Sequence, residues 1–294
     1  MAENGFHIEK ASPTGFCSGV RRAVTVLERT ATERGPLQTL GPAVHNRQVV
    51  EKLAGMGVTV AAGLDKITGT TVAISSHGAS PATLDEVAKR GLQLVDTTCP
   101  IVHRAQVAAK RLAKAGFLVV IFGDAEHPEV KGLLGWAGAR SLATTNARDL
   151  TESGIWPRKL GVLSQTTQNA PMYIKFVKDL IDMAGSRFTE ISIINTICGA
   201  TQKRQMAAAR LARRTDLMIV VGGWDSSNTR RLAEICQADG VETHQIETAG
   251  EIDAGWLKGK RRVGVTAGAS TADSAVDEVV ARLRQMSGGE GTPR

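Results

Sequence analysis

Cys99 stands in the run Val95 to Ala105, VDTTCPIVHRA, where an apolar stretch breaks into polar residues, reaches the cysteine and restarts behind a proline. Proline at a first helical position tolerates its missing N–H and fixes φ. The pattern therefore predicts Cys99 as a helix N-cap, where orphan amides and the positive end of the helix dipole stabilise a thiolate. Such a thiolate is a ready metal ligand. Cys17, in TGFCSGV, and Cys198, in ISIINTICGATQKRQ, occupy the same kind of strand-to-helix joint. Three such joints spread along one chain argue for a shared site. Structural zinc takes four protein ligands, usually paired at short spacing, and no Cys-x-x-Cys pair occurs. Three dispersed thiolates suit a 4Fe-4S cluster in which one iron is not ligated by the protein. Cys236, in the middle of the helical run RLAEICQADG, reads instead as a core residue.

The ends of the apolar runs carry a second set of groups. They are His45 in VHN, His77 in SSHG, His127 and Glu129 in EHPEV, Thr166 and Thr167 in QTT, Ser226, Ser227 and Asn228 in DSSN, and Ser270 in AGAS. Open α/β sheets bind ligands at the carboxyl ends of their strands. Hydroxyls, imidazoles and an amide there, each ahead of a helix N-terminus, suit a phosphate or diphosphate without any lysine. Each residue alone has a plainer reading, since Ser, Thr and Asn before a helix are commonly N-caps and a histidine there is commonly a turn residue. Their coincidence with the cysteines, at the same end of successive strands, points to a site. An open iron beside such a pocket implies chemistry on the ligand, beyond electron transfer alone.

The elements that must position these groups repeat one pattern three times. A strand near HIEKASP and a helix over Val20 to Arg34 begin a pass that closes on the strand ending at Cys99. A helix over Val102 to Ala115 and the strand FLVVIF begin the second, which closes on ISIINTIC; a helix over Thr201 to Arg214 and the strand LMIVV begin the third, which closes on a helix over Ser274 to Met286. Apolar strands alternating with amphipathic helices predict βαβ units and small parallel sheets. The expected division is three similar α/β domains: 1–100 with Cys17 and Cys99, 101–197 with His127, Glu129 and Thr166, and 198–286 with Cys198, Ser226 to Asn228 and Ser270. A disordered tail is expected at 287–294. The net charge of +7 admits nucleic acid, an acidic protein or an acidic substrate. Its lysines and arginines fall mostly at helical positions with no aromatic residues interleaved, so no nucleic-acid partner is expected. No apolar run approaches the ~20 residues of a membrane span, and the N-terminus lacks a signal-peptide core, so a cytoplasmic protein without a membrane partner is expected. Two other classes stay open on the residues alone: a regulatory module binding a diphosphate or nucleotide around a structural metal, and a basic nucleic-acid-binding protein.

GFCSGV, VHN, SSHG, DTTCP, HPEV, QTT, CGATQKRQ, SSN and TAGAS occur in the order in which they stand in the 4-hydroxy-3-methylbut-2-enyl diphosphate reductase family. The chain resembles these terminal enzymes of the non-mevalonate isoprenoid pathway over essentially its whole length. The resemblance implies a trefoil of three α/β domains around a central cluster held by Cys17, Cys99 and Cys198. It implies a diphosphate held by His45, His77, Ser226, Asn228 and Ser270, with Ser227 and Thr167 nearby. His127, Thr166 and Glu129 would then face the hydroxyl of an allylic diphosphate substrate, with Glu129 as proton source. The implied reaction is reductive dehydroxylation to isopentenyl and dimethylallyl diphosphate, with electrons from a ferredoxin or flavodoxin-type donor. Acidic donors of that kind suit a chain of +7. Pro128 between His127 and Glu129 places a bend that aims both side chains into one cavity. A carboxyl screened from water there has its pKa raised toward neutrality, whereas one merely at a helix start would be stabilised as the anion by the dipole. Asp225, preceded by Trp224, stands where the family commonly has Asn, and is expected to point away or to cap its helix.

Overall fold

The computed structural model describes residues 5–152 and 157–288. The first pass comprises β1 (His7–Lys10), α1 (Ser18–Arg34), β2 (Leu37–Leu40), α2 (Arg47–Gly55), β3 (Val58–Ala61), β4 (Thr71–Ile74), α3 (Pro81–Lys89) and β5 (Gln93–Asp96). The second comprises α4 (Pro100–Lys114), β6 (Leu118–Phe122), α5 (Pro128–Ala137), β7 (Ser141–Thr144), α6 (Arg148–Glu152), β8 (Lys159–Ser164), α7 (Ala170–Ala184) and β9 (Glu190–Ile193). The third comprises α8 (Gly199–Ala212), β10 (Leu217–Val221), α9 (Ser227–Ala238), β11 (Glu242–Ile246), β12 (Arg262–Ala267) and α10 (Asp273–Met286). The strands form three four-stranded sheets, ordered β3-β2-β4-β5, β7-β6-β8-β9 and β1-β12-β10-β11. Every pairing is parallel, as the alternation of strand and helix requires.

One strand departs from its expected place. β1, assigned from sequence to the segment 1–100, pairs with β12 in register His7↔Arg262 to Lys10↔Val265 and so completes the third sheet. Backbone pairing of an edge strand is indifferent to side-chain type, and nothing local in HIEK names its partner. The chain accordingly divides into two compact units. Among the described residues, the first holds those up to Val20, His45–Glu51 and those from Gly199 on; the second holds those of Arg21–Val44 and Lys52–Cys198, with the other two sheets. Of the tail expected at 287–294, residues 289–294 lie outside the described residues, and Ser287 closes α10 by donating its N–H to Leu283.

Both central strands, β6 (LVVIF) and β10 (LMIVV), are buried at every residue, the pattern of a parallel strand covered on both faces. In the first unit Leu217, Ile219 and Val221 pack with Val276, Val279 and Leu283 of α10. Met218 and Val220 face the other way, onto Ala208 and Leu211 of α8 and Leu232 of α9. Cys236 joins that second cluster, fully buried, and burial pushes its thiol up to about 12. It is a core residue, as its mid-helix position predicts. Gly161 in β8 and Gly264 in β12 make room for the covering helices: a Cβ at Gly161 would lie 2.9 Å from Leu112 of α4, and one at Gly264 3.0 Å from Leu211 of α8. Among the described residues no helix is long and apolar enough to cross a membrane.

Candidate functional site

In the second unit the chemistry gathers behind β4, β6 and β8. Cys99 is the N-cap of α4 with extended backbone (φ −61°, ψ 133°) and Pro100 follows at the first helical position, as the sequence predicts. Its N–H donates to the Ser76 carbonyl at 3.0 Å, joining the cysteine to the SSHG turn. In that turn Ser75 Oγ lies 3.3 Å from His77 Nδ1, and the His77 ring meets the His127 ring edge-on, centroids 5.4 Å apart. His127 caps α5: its Nδ1 accepts the Glu129 N–H at 3.2 Å, which in the neutral ring leaves the proton on Nε2.

Glu129 is 2% exposed. Its Oε1 accepts the Thr166 N–H at 2.6 Å and its Oε2 accepts the Thr166 hydroxyl at 2.8 Å. Burial raises its pKa to about 7, against the pull of the two Thr166 bonds, which favour the anion. Glu129 stands in the first turn of α5, as the plainer reading has it, and it is also buried. The carbonyl of Thr166 accepts the Cys198 N–H at 2.9 Å. A single residue thus connects the buried acid to the backbone of a cysteine 32 positions further on. Thr167 Oγ1 accepts from Gln165 Nε2 at 2.9 Å, and Gln165, fully buried, also takes the Asp124 N–H.

In the first unit the Cys17 N–H donates to the Ala269 carbonyl at 3.0 Å, and the Val20 N–H points at Cys17 Sγ from 3.4 Å. One residue beyond Ala269, Ser270 Oγ donates to the His45 carbonyl at 3.1 Å. Gly223 lies on the same carbonyl, where a Cβ would come within 2.6 Å, so the turn after β10 fits there only without a side chain. That turn leads to Ser226, which caps α9 by accepting the Thr229 N–H at 3.3 Å, then to half-buried Ser227 and to Asn228. Asn228 is 3% exposed, and neither its Oδ1 nor its Nδ2 has a hydrogen-bond partner among the described residues. A buried amide left in that state is costly unless a ligand completes it. Burial lowers the pKa of His45, the negative charge of Asp225 opposes this, and Arg230 adds to the lowering. Asp225 is exposed, and Ser226 is the cap of α9. Asp225 thus does not cap its helix, and its charge acts on His45.

Four of the expected site residues are released from capping by three neighbours. Asn46 accepts the Val49 N–H at the start of α2, Ser80 the Thr83 N–H at α3 and Asn169 the Met172 N–H at α7. His45, His77 and the Thr166–Thr167 pair stand a few residues earlier in each turn and keep their side chains for other partners. The three cysteines are half-buried and free of disulfides. The helices that begin behind them, α1, α4 and α8, have no acidic residue in the first turn. Each instead carries a basic or imidazole pair a few residues past the sulfur: Arg21 and Arg22, His103 and Arg104, Lys203 and Arg204. Acids in the first turn are what a helix dipole ordinarily favours, and their absence leaves the positive end for an anion bound at the sulfur. Taken one by one, each of these cysteines has surroundings that suit an anionic metal group bound at its sulfur. Arg204 and Gln165 lie inside the motifs CGATQKRQ and QTT, where nothing local marks a role for either.

The family model described as LytB protein matches residues 8–284. A curated relative from Dehalococcoides mccartyi (strain CBDB1), a 4-hydroxy-3-methylbut-2-enyl diphosphate reductase, is 53% identical over 282 residues, covering 96% of this chain and 99% of the relative. Its counterpart from Geobacter sulfurreducens is 44% identical, covering 94% and 96%. Among solved structures, the E-1-hydroxy-2-methyl-but-2-enyl-4-diphosphate reductase of Plasmodium falciparum superposes with a TM-score of 0.90 at 28% identity, covering 95% of this chain and 88% of that one. A second, the (E)-4-hydroxy-3-methyl-but-2-enyl diphosphate reductase described as the terminal enzyme of the non-mevalonate pathway, gives 0.69 at 38% identity, covering 95% and 99%.

Proposed function

The chain belongs to the LytB family, and from that premise we propose that it is a 4-hydroxy-3-methylbut-2-enyl diphosphate reductase. It removes the allylic hydroxyl with two electrons and two protons: the C–O bond breaks, one proton leaves with the oxygen as water, and the other joins the electron pair in a new C–H bond. Isopentenyl and dimethylallyl diphosphate result, according to which carbon is protonated. The observation that carries this reading is Glu129, a buried carboxyl with its pKa near neutrality, held on both oxygens by Thr166. Such a group releases a proton at physiological pH without an energetic penalty.

We assign Cys17, Cys99 and Cys198 as the protein ligands of a 4Fe-4S cluster with one iron not ligated by the protein. Bound there, the cluster supplies electrons singly and a Lewis-acidic iron. Asn228, Ser226, Ser227, His45 and Ser270, with the N-terminal amides of α9, are assigned to the diphosphate, together with His77 and Thr167. The orphan amide of Asn228 and the positive end of a twelve-residue helix support this. Glu129 holds the proton for transfer, Thr166 fixes the orientation of its carboxyl, and His127 anchors the turn from which Glu129 projects. The electron donor is of ferredoxin or flavodoxin type, with the net charge of +7 in support, and the protein is assigned to the cytoplasm.

The test is anaerobic purification, iron and sulfide analysis, and turnover of the allylic diphosphate with a reduced viologen dye, with products identified by mass spectrometry. Serine at Cys17, Cys99 or Cys198 should abolish both chromophore and turnover, and Cys236→Ser should preserve both. Retention of the full cluster in any of the first three, or its loss in the last, refutes the ligand assignment.

A further inference from the structure

Cys17 lies in a stretch, residues 11–17, without regular secondary structure, so most of its carbonyls have neither strand nor helix partners. Arg204 in α8 reaches into it. Its Nη2 donates to the Gly15 carbonyl at 2.7 Å, and its Nη1 lies 3.4 Å from the Pro13 carbonyl and 3.5 Å from that of Ala267. Ala267 ends β12, two residues before the carbonyl that takes the Cys17 N–H and three before Ser270. One planar guanidinium thus ties the cysteine loop to the turn carrying Ser270. Arg204 is only 3% exposed. Burying a guanidinium costs several kcal/mol unless its donors are used, and only a rigid fork reaches several carbonyls at once. The loop is confined from a second side as well: Gly15 has φ +75°, and a Cβ there would come 1.7 Å from Asp273 Oδ1.

We infer that Arg204 is a positioning residue that holds the Cys17 loop in place for metal ligation, so that cluster retention depends on its fork geometry. The inference rests on the assignment of Cys17 as a ligand. Lysine at this position preserves the charge, but its ammonium satisfies fewer of the three carbonyls. A purely structural role would lower the melting temperature and expose all three cysteines together. A positioning role releases Cys17 first.

The experiment challenges reconstituted wild-type holoenzyme, Arg204→Lys and Arg204→Met with an iron chelator under anaerobic conditions. Cluster loss is followed in the visible spectrum, and each cysteine's alkylation is followed by mass spectrometry. The reduced-cluster EPR spectrum is recorded beforehand. In Arg204→Lys, cluster loss and Cys17 labelling should accelerate about tenfold or more, the scale of a lost charged hydrogen bond, while Cys99 and Cys198 follow with a lag. The EPR signal should also shift. If Arg204→Met cannot be folded, Arg204→Lys alone decides. An unchanged EPR spectrum with wild-type rates in Arg204→Lys, or simultaneous labelling of all three cysteines, overturns the inference. A full cluster in Cys17→Ser overturns the ligand assignment and this inference with it. A cluster-free Cys17→Ser protein beside a wild-type-like Arg204→Lys overturns this inference alone.

Discussion

Glu129→Gln should stop the chemistry and stabilise the fold. The amide matches the carboxyl in shape, and its oxygen can keep the Thr166 N–H now bound to Oε1 at 2.6 Å. Its nitrogen can face the Thr166 hydroxyl, which then rotates to accept, so the site stays satisfied without a charge. In the wild type the folded pKa is raised from 4.5 to about 7. Between those values the unfolded chain has lost the proton while the folded protein keeps it. Stability therefore falls as pH rises through that window and is flat above it, by about 3 kcal/mol in all. Glutamine has no such term. Urea denaturation of cluster-free protein should show the variant ahead by up to ~3 kcal/mol at pH 8, with the gap closing toward pH 4.5. Turnover by the fully clustered variant should fall by roughly 10²–10⁴-fold, the worth of a general acid. The wild-type kcat/KM should decline above pH about 7 as the acid ionises, and the residual activity of the variant should lack that limb. Near-normal turnover at full iron and sulfide content, or no stability gain at pH 8, refutes the reasoning.

Thr166→Val removes the hydroxyl that favours the Glu129 anion, so the alkaline limb of the kcat/KM profile should move to higher pH, a shift read from steady-state rates across pH 6–9. Asn228→Ala deletes a buried amide that has no partner among the described residues. Ligand-free melting should be unchanged or slightly higher, while calorimetry should show diphosphate affinity reduced about tenfold to a hundredfold. Asp225→Asn removes the charge that raises the His45 pKa, so the imidazole of His45 should titrate at lower pH in an NMR titration of cluster-free protein; an unmoved titration would show that the two groups are not coupled.

Local chemistry made much of this molecule legible in its sequence. Apolar runs such as LVVIF and LMIVV can only be buried strands in an α/β chain, and both are. A cysteine followed by proline at the end of a strand had to fall at a helix start, and Cys99 does. Cys236, on the inner face of an amphipathic helix, had to be buried. These outcomes follow from periodicity and capping, which act over a few residues. The pairing of β1 with β12 is different in kind. Parallel ladders join backbone groups that carry no residue identity, so only the completed packing selects the partner. The same holds for Glu129. Its proximity to His127 could be read along the chain, but its near-neutral pKa depends on burial and on Thr166, 37 positions away. Arg204 stood in plain view within CGATQKRQ, yet a basic residue on a helix is ordinarily solvated. Its position over the carbonyls of Pro13, Gly15 and Ala267 arises only because α8 packs against β12, where Gly264 lets Leu211 approach. The sequence by itself determined which groups could do chemistry and which elements carry them. Desolvation and long-range hydrogen bonding, which decide the protonation and orientation of those groups, are properties of the folded packing alone.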